Sequence, residues 1–144
     1  MPTAEHMRQL GAAFGQAAMA GDRFLLHGPF GAGKTTFVQG LARGLGVETP
    51  VASPSFVIET QYRGRLPLYH IDLYRLNRIE PELLEELQEH LYGDGVAAVE
   101  WAERLPSVLE ADGALLRFQI DLDDVRTVTV SSNDERIARA AAAA

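Results

Sequence analysis

The sequence predicts a three-layer α/β fold with a mixed central sheet, parallel in the middle and antiparallel through two hairpins. Three observations carry this reading. A short apolar run, Arg23–His27, leads through a glycine-rich segment into a stretch of helix formers, the order strand, loop, helix. A second run, Val96-Ala97-Ala98-Val99, is apolar at every position, as in a strand covered on both faces. Two pairs of strand-like runs flank short turns and close as hairpins.

Taken in order, Thr3 is the expected N-cap of a first helix, in which Met7, Leu10, Phe14, Ala17 and Ala18 recur at helical spacing. The uncharged run from Leu10 to Ala20 imitates a secretory leader. However, Glu5 and His6 stand where a basic segment belongs, and Gly11, Gly15 and Gln16 dilute the run, so a packed amphipathic helix is the better reading. After the strand at Arg23–His27, the second helix is expected over Thr35 to Leu45, with Phe37, Leu41 and Leu45 inward.

Phe56 to Tyr62 and Leu66 to Asp72 flank Arg63-Gly64-Arg65 as a hairpin, and Pro67 argues that one of them lies near an edge. Pro81, followed by Glu82, Glu85 and Glu86, starts a helix to about His90, with Leu83, Leu84, Leu87 and Leu91 on its inner side. Gly93 and Gly95 end it, and the strand from Val96 terminates in Glu100 and Trp101. Leu115 to Leu122 and Val125 to Val130 form the second hairpin across Asp123-Asp124, after which Asn133 is the expected cap of an alanine-rich helix.

The 144 residues fit a single domain over residues 1–144, with no repeat, no domain linker and no low-complexity tract beyond the final alanines. Hydrophobic residues make up 47% and charged ones 23%, values of a chain that folds on its own. The absence of cysteine excludes a disulfide framework, a thiolate metal site and thiol redox chemistry. A net charge of −7 argues against gripping nucleic acid or anionic membrane through a broad basic surface, because that binding is driven by phosphate neutralisation. Charges at Arg8, Asp22, Arg23 and Lys34 interrupt every stretch long enough to span a bilayer.

Gly28-Pro29-Phe30-Gly31-Ala32-Gly33-Lys34-Thr35 satisfies the phosphate-loop pattern G-x-x-x-x-G-K-[ST] at every fixed position. About 0.5% of random chains of this length contain one such match, and the strand-to-helix context makes chance a poor explanation. Glycines let the backbone wrap an anion, and successive N–H groups and the positive helix end converge on it. The fold expected is therefore like that of P-loop nucleotide hydrolases. The Lys34 ammonium is suited to β- and γ-phosphate oxygens, the Thr35 hydroxyl to the Mg²⁺ that bridges them, and Thr36 either contacts the α-phosphate or packs.

Such a loop needs a second acid for the metal or its water shell, commonly at the end of an apolar strand. Asp72 closes Leu68-Tyr69-His70-Ile71 and Glu100 closes Val96–Val99, so both are candidates. His70 is read as a proton relay or as a packed strand residue, and Trp101 as a stacking platform or as a buried ring. Ser53-Pro54-Ser55-Phe56 is either a switch-like segment that senses the γ-phosphate or an ordinary proline turn.

The series Phe30-Gly31-Ala32-Gly33-Lys34-Thr35-Thr36-Phe37, Ser53-Pro54-Ser55-Phe56, His70-Ile71-Asp72-Leu73-Tyr74-Arg75-Leu76 and Val99-Glu100-Trp101 resembles the bacterial TsaE (YjeE) family from about residue 20 to 130. The phosphate loop is widespread; the HxDLYRL and EW blocks together are specific. The resemblance implies a cytoplasmic ATPase subunit required for threonylcarbamoyladenosine at position 37 of tRNAs reading codons that start with A; with no certain arginine finger and no unambiguous water-positioning residue in the sequence, hydrolysis is expected to be slow alone. It implies ATP and Mg²⁺ as cofactors and TsaD and TsaB as partners that carry the transfer chemistry and most of the tRNA contact; neither DNA nor membrane is a partner.

By the same resemblance Phe30 to Thr36 bind nucleotide and Thr35 and Glu100 hold the metal. Lys34, Asp72 and Glu100 serve turnover, Ser53, Pro54, Ser55 and Trp101 face nucleotide or partner, and Arg126 reaches nucleotide from the second hairpin. Ser55 stands where the family commonly has threonine, and Pro29-Phe30 where it more often has an acidic residue and leucine. A small-molecule or nucleoside kinase is the leading alternative, and it predicts an acceptor pocket and an arginine-bearing lid. A GTP switch lacks its Asn-Lys-x-Asp element, since Asn77-Arg78-Ile79-Glu80 is not one. A nucleotide-sensing module that never hydrolyses stays open.

Overall fold

A computed structural model describes residues 4–29, 31–51, 59–74, 76, 79–91, 93–105, 113–123, 125–132 and 134–143. The elements in chain order are α1 (Ala4–Ala17), β1 (Arg23–His27), α2 (Lys34–Gly44), β2 (Glu59–Arg63), β3 (Pro67–Asp72), α3 (Pro81–Leu91), β4 (Val96–Glu100), a 3₁₀ turn (Ala102–Arg104), β5 (Ala114–Ile120), β6 (Arg126–Ser131) and α4 (Glu135–Ala143).

The strands form one sheet in the order β2-β3-β4-β1-β5-β6. β3, β4, β1 and β5 are parallel, while β2 and β6 close the edges as antiparallel hairpin partners of β3 and β5. The fold is therefore the mixed α/β sheet that the two hairpins and the apolar central runs predict. Alternation divides the core. Phe24, Leu26, Leu68, Val96, Ala98, Leu116 and Phe118 face α1, α2 and α4, whereas Leu25, Ile71, Ala97 and Val99 face α3 and the 3₁₀ turn. Tilted and edge-on contacts of 5.6–6.4 Å among Phe14, Phe24, Phe37 and Phe118 occupy the first of these layers.

Four glycines bring α1 and α2 into backbone contact. A Cβ built at Gly11 would stand 2.2 Å from the Phe37 carbonyl oxygen, at Gly15 2.3 Å from that of Leu41, at Gly40 2.1 Å from that of Arg8, and at Gly44 2.3 Å from that of Ala12. Gly11 and Gly15 thus do not merely dilute an apolar run; with Gly40 and Gly44 they form the seam that seats α2.

Several boundaries differ from expectation, each for a local reason. β5 stops at Ile120 because Asp121 Oδ1 accepts the N–H groups of Asp123 and Val125 at 3.0 Å, leaving Leu122 fully exposed in the turn. One strand of the first hairpin does lie at an edge, as expected, but it is β2; Pro67 itself begins the interior strand β3, where a proline is tolerated as the first residue. The C-terminal helix is capped by Asp134, whose Oδ1 accepts the Arg136 N–H at 2.9 Å. The expected caps Thr3 and Asn133 lie outside the described residues. Among the described residues, no helix is long and apolar enough to cross a membrane.

Candidate functional site

Parallel pairing aligns the carboxyl ends of the central strands. The register sets Leu26 of β1 beside Glu100 of β4, and Asp72 of β3 beside the same Glu100. The glycine loop leaves β1 at this end and enters α2, so the loop and both acids gather where ligands of open α/β sheets bind. Gly28 at φ 142° and Gly33 at φ 107° hold backbone conformations that side chains disfavour. Ala32 is buried beneath the loop, and the Phe37 N–H donates to the Gly33 carbonyl at 2.8 Å as α2 begins. Phe30 lies outside the described residues. Thr36 sits half-buried in the first turn of α2.

Lys34 is 4% exposed. Its Nζ donates to the Gly28 carbonyl and lies 3.7 Å from the centroid of the Trp101 ring. Burial pulls the ammonium below the ordinary lysine value, and the negative charges of Glu100, Glu103 and Asp72 oppose that pull only in part. A cation held at this cost is suited to an anionic ligand that would restore its charge balance.

The Thr35 hydroxyl stands 3.1 Å from both Glu100 carboxylate oxygens. Glu100 is 3% exposed, and its Oε2 lies 2.5 Å from Nε2 of the fully buried His70. Between the two acid candidates the geometry therefore discriminates: Glu100 joins the first turn of α2, while Asp72 is half-buried one strand away and its Oδ1 accepts the Tyr74 N–H at 3.0 Å. Thr35 and Glu100 are hard oxygen donors of the kind Mg²⁺ takes alongside phosphate oxygens. Among the described residues no group of three or more His, Asp or Glu side chains converges on a metal position.

Trp101 has φ 58° and ψ 41°, the one positive φ outside glycine among the described residues, a strain of about 1–2 kcal/mol. The turn it makes lays its indole under Lys34 and against Tyr74, at 5.1 Å between centroids. Sequence reasoning offered a base, a partner or burial for this ring and missed the lysine. It also missed Arg104, which donates to the Leu76 carbonyl and lies 5.7 Å from the Trp101 ring and 5.9 Å from Tyr74. No spacing pattern signals either. Arg126, at the start of β6, does reach the loop: its Nε donates to the Gly31 carbonyl at 2.7 Å. Ser53, Pro54 and Ser55 lie outside the described residues.

Comparison with known proteins is consistent across three kinds of match. Residues 1–130 match the family model described as threonylcarbamoyl adenosine biosynthesis protein TsaE. The chain is 38% identical over 129 residues to the tRNA threonylcarbamoyladenosine biosynthesis protein TsaE of Treponema pallidum, covering 90% of this chain and 96% of that one. The protein of the same name from Streptomyces coelicolor is 40% identical over 143 residues, covering 93% and 95%. The crystal structure of Bacillus subtilis YdiB superposes with a TM-score of 0.76 at 32% identity, over 99% of this chain and 89% of that chain.

Proposed function

Because the chain belongs to the TsaE family, whose role is in the biosynthesis of tRNA threonylcarbamoyladenosine, we propose that it is the ATP-binding and ATP-hydrolysing subunit of that system. It requires Mg²⁺ and acts with the TsaD–TsaB complex in the cytoplasm to form threonylcarbamoyladenosine at position 37 of tRNAs reading ANN codons. The observation that carries this reading is the conjunction at the end of β4. A phosphate loop presents Lys34 and Thr35, and the Thr35 hydroxyl stands 3.1 Å from a buried strand-end carboxylate, Glu100.

The loop N–H groups and the start of α2 bind the phosphates, and Gly31 is steadied from outside by Arg126. Phosphate oxygens offer Lys34 charge-assisted acceptors stronger than the Gly28 carbonyl it now engages. Thr35 and Glu100 hold the metal; when bound, Mg²⁺ neutralises charge on the phosphate oxygens and polarises them. Asp72 orients the attacking water at the end of β3. Hydrolysis is slow in the isolated chain and accelerates when the partner complex completes the site. Switch-like behaviour of Ser53, Pro54, Ser55 and Trp101 couples nucleotide state to partner affinity.

With a net charge of −7, the chain leaves tRNA contact mainly to its partners. Membership of the family favours this reading over a small-molecule kinase. The test is reconstitution of the modification with TsaD, TsaB, tRNA, a threonylcarbamoyl donor and ATP. Multiple-turnover modification should need this chain and should be lost with Lys34→Ala. Undiminished modification without the chain refutes the proposal.

A further inference from the structure

We propose that His70 is a positioning residue for Glu100: its neutral ring, protonated on Nε2, holds the carboxylate in the orientation that meets Thr35 and the metal. The inference deepens the Mg²⁺–nucleotide reading above and rests on it.

Three features of the pair lead there. First, position: Leu68 of β3 and Val96 and Ala98 of β4 face the α2 side of the sheet, so His70 and Glu100, at the same parity, face it too. β3 is interior, with Thr60 paired to His70 on one side and Ala98 on the other, and the imidazole is fully buried. Second, the contact: Nε2 lies 2.5 Å from Glu100 Oε2. Oε2 therefore meets both the imidazole and the Thr35 hydroxyl, whereas among the described residues Oε1 meets the hydroxyl alone and retains lone-pair capacity.

Third, Nδ1 is buried and has no hydrogen-bond partner among the described residues. This atom decides which proton arrangement is stable. If Glu100 carried the proton and donated it to Nε2, the ring's own proton would sit on Nδ1, a buried N–H with no acceptor. A doubly protonated ring leaves the same Nδ1–H without an acceptor. With the proton on Nε2, Nδ1 is a bare lone pair, and every N–H and O–H in the trio has an acceptor. The histidine thus acts as a fixed donor to a carboxylate, a supporting contact of the kind that orients metal ligands. A merely packed histidine has no need to aim a nitrogen at the one strand-end acid that bonds the phosphate-loop threonine.

The experiment uses the full chain and two variants. His70→Gln can return an N–H to the Nε2 position, whereas His70→Phe keeps a ring and removes both nitrogens. Nucleotide binding is titrated calorimetrically with ADP in excess EDTA and again across a Mg²⁺ series, and the His70 ring tautomer of the parent chain is read from ¹⁵N chemical shifts. The proposal expects an Nε2–H ring. It expects His70→Phe to bind ADP in EDTA as the parent does while needing about 10–100-fold more Mg²⁺ for the metal-dependent gain. His70→Gln should recover most of that loss.

An Nδ1–H or doubly protonated ring overturns the proposal, as does a His70→Phe Mg²⁺ dependence equal to the parent's. A parallel loss of ADP binding in EDTA also overturns it, because the residue is then structural. Should His70→Phe not fold, the tautomer and the His70→Gln titration decide, a Gln variant no better than a Glu100→Ala control counting against. If the parent chain itself shows no Mg²⁺-dependent ADP binding, the underlying nucleotide reading fails, an outcome separable from the others.

Discussion

Gly40→Ala tests whether the phosphate-loop helix is seated by backbone contact. The added methyl would stand 2.1 Å from the Arg8 carbonyl oxygen and 2.7 Å from the Arg8 carbonyl carbon and Cα, where ordinary contact begins at 3.4 Å. All three obstacles are backbone, so no rotamer change relieves them; the helices must separate by roughly 1 Å across a close-packed seam. Overpacking of this kind costs about 1–3 kcal/mol, and a rigid obstacle argues for the upper end. Against it stands the gain of alanine over glycine in a helix, about 1 kcal/mol. The net is a loss of about 2 kcal/mol, which in a chain this size lowers Tm by roughly 6 °C.

Urea unfolding should show a lower midpoint with an unchanged slope, the mark of altered stability without altered compactness. Because α2 begins at Lys34, its displacement also disturbs the 3.1 Å contacts between Thr35 and Glu100, so ADP affinity should fall several-fold. A Tm equal to or above that of the parent chain would show that helix propensity is the whole effect and would refute the seam.

Three further outcomes follow from the site. Lys34→Met should abolish nucleotide binding by calorimetry without lowering the stability of the free chain, since burial disfavours the charge it removes. The unfolded lysine, near its ordinary 10.5, holds its proton more tightly than the folded one, so the penalty is full below the folded value and fades as pH rises from there toward 10.5; the stability difference between parent and variant should therefore shrink in that alkaline window, and a difference independent of pH contradicts it. Arg126→Ala removes the donor to the Gly31 carbonyl and should weaken ADP binding about five-fold, the worth of roughly 1 kcal/mol, while Tm changes little. Asp72→Asn keeps an acceptor for the Tyr74 N–H, so the fold and ATP affinity should persist while single-turnover hydrolysis drops by about 100-fold or more.

Much of this architecture is legible in the sequence because local chemistry decides it. Arg23–His27 and Val96–Glu100 are bounded by glycine or charge and are apolar within, and both strands fall at those residues. The glycines of the phosphate loop announce a backbone anion cradle wherever a strand feeds a helix. What local chemistry cannot supply is partnership between distant residues. Gly11 and Gly15 read as weak helix residues until α2 brings Gly40 and Gly44 against them. His70 and Glu100 meet only through the parallel register of β3 with β4, and Asp72 shares that register, so only the reach of Thr35 separates the two acids. Trp101 gives no sign of its left-handed backbone, since no side chain announces a strain that tertiary contacts impose.

On the function proposed above, this phosphate loop serves a hydrolase completed by its partners. The most direct measurement is the rate of phosphate release from ATP by the purified chain, alone and with TsaB and TsaD from the same source, with Lys34→Ala and Glu100→Ala beside it. Release should be slow alone and strongly stimulated by the complex, with that stimulation lost in both variants. Release that is equally fast with and without partners, or phosphate appearing on a small acceptor, would contradict it.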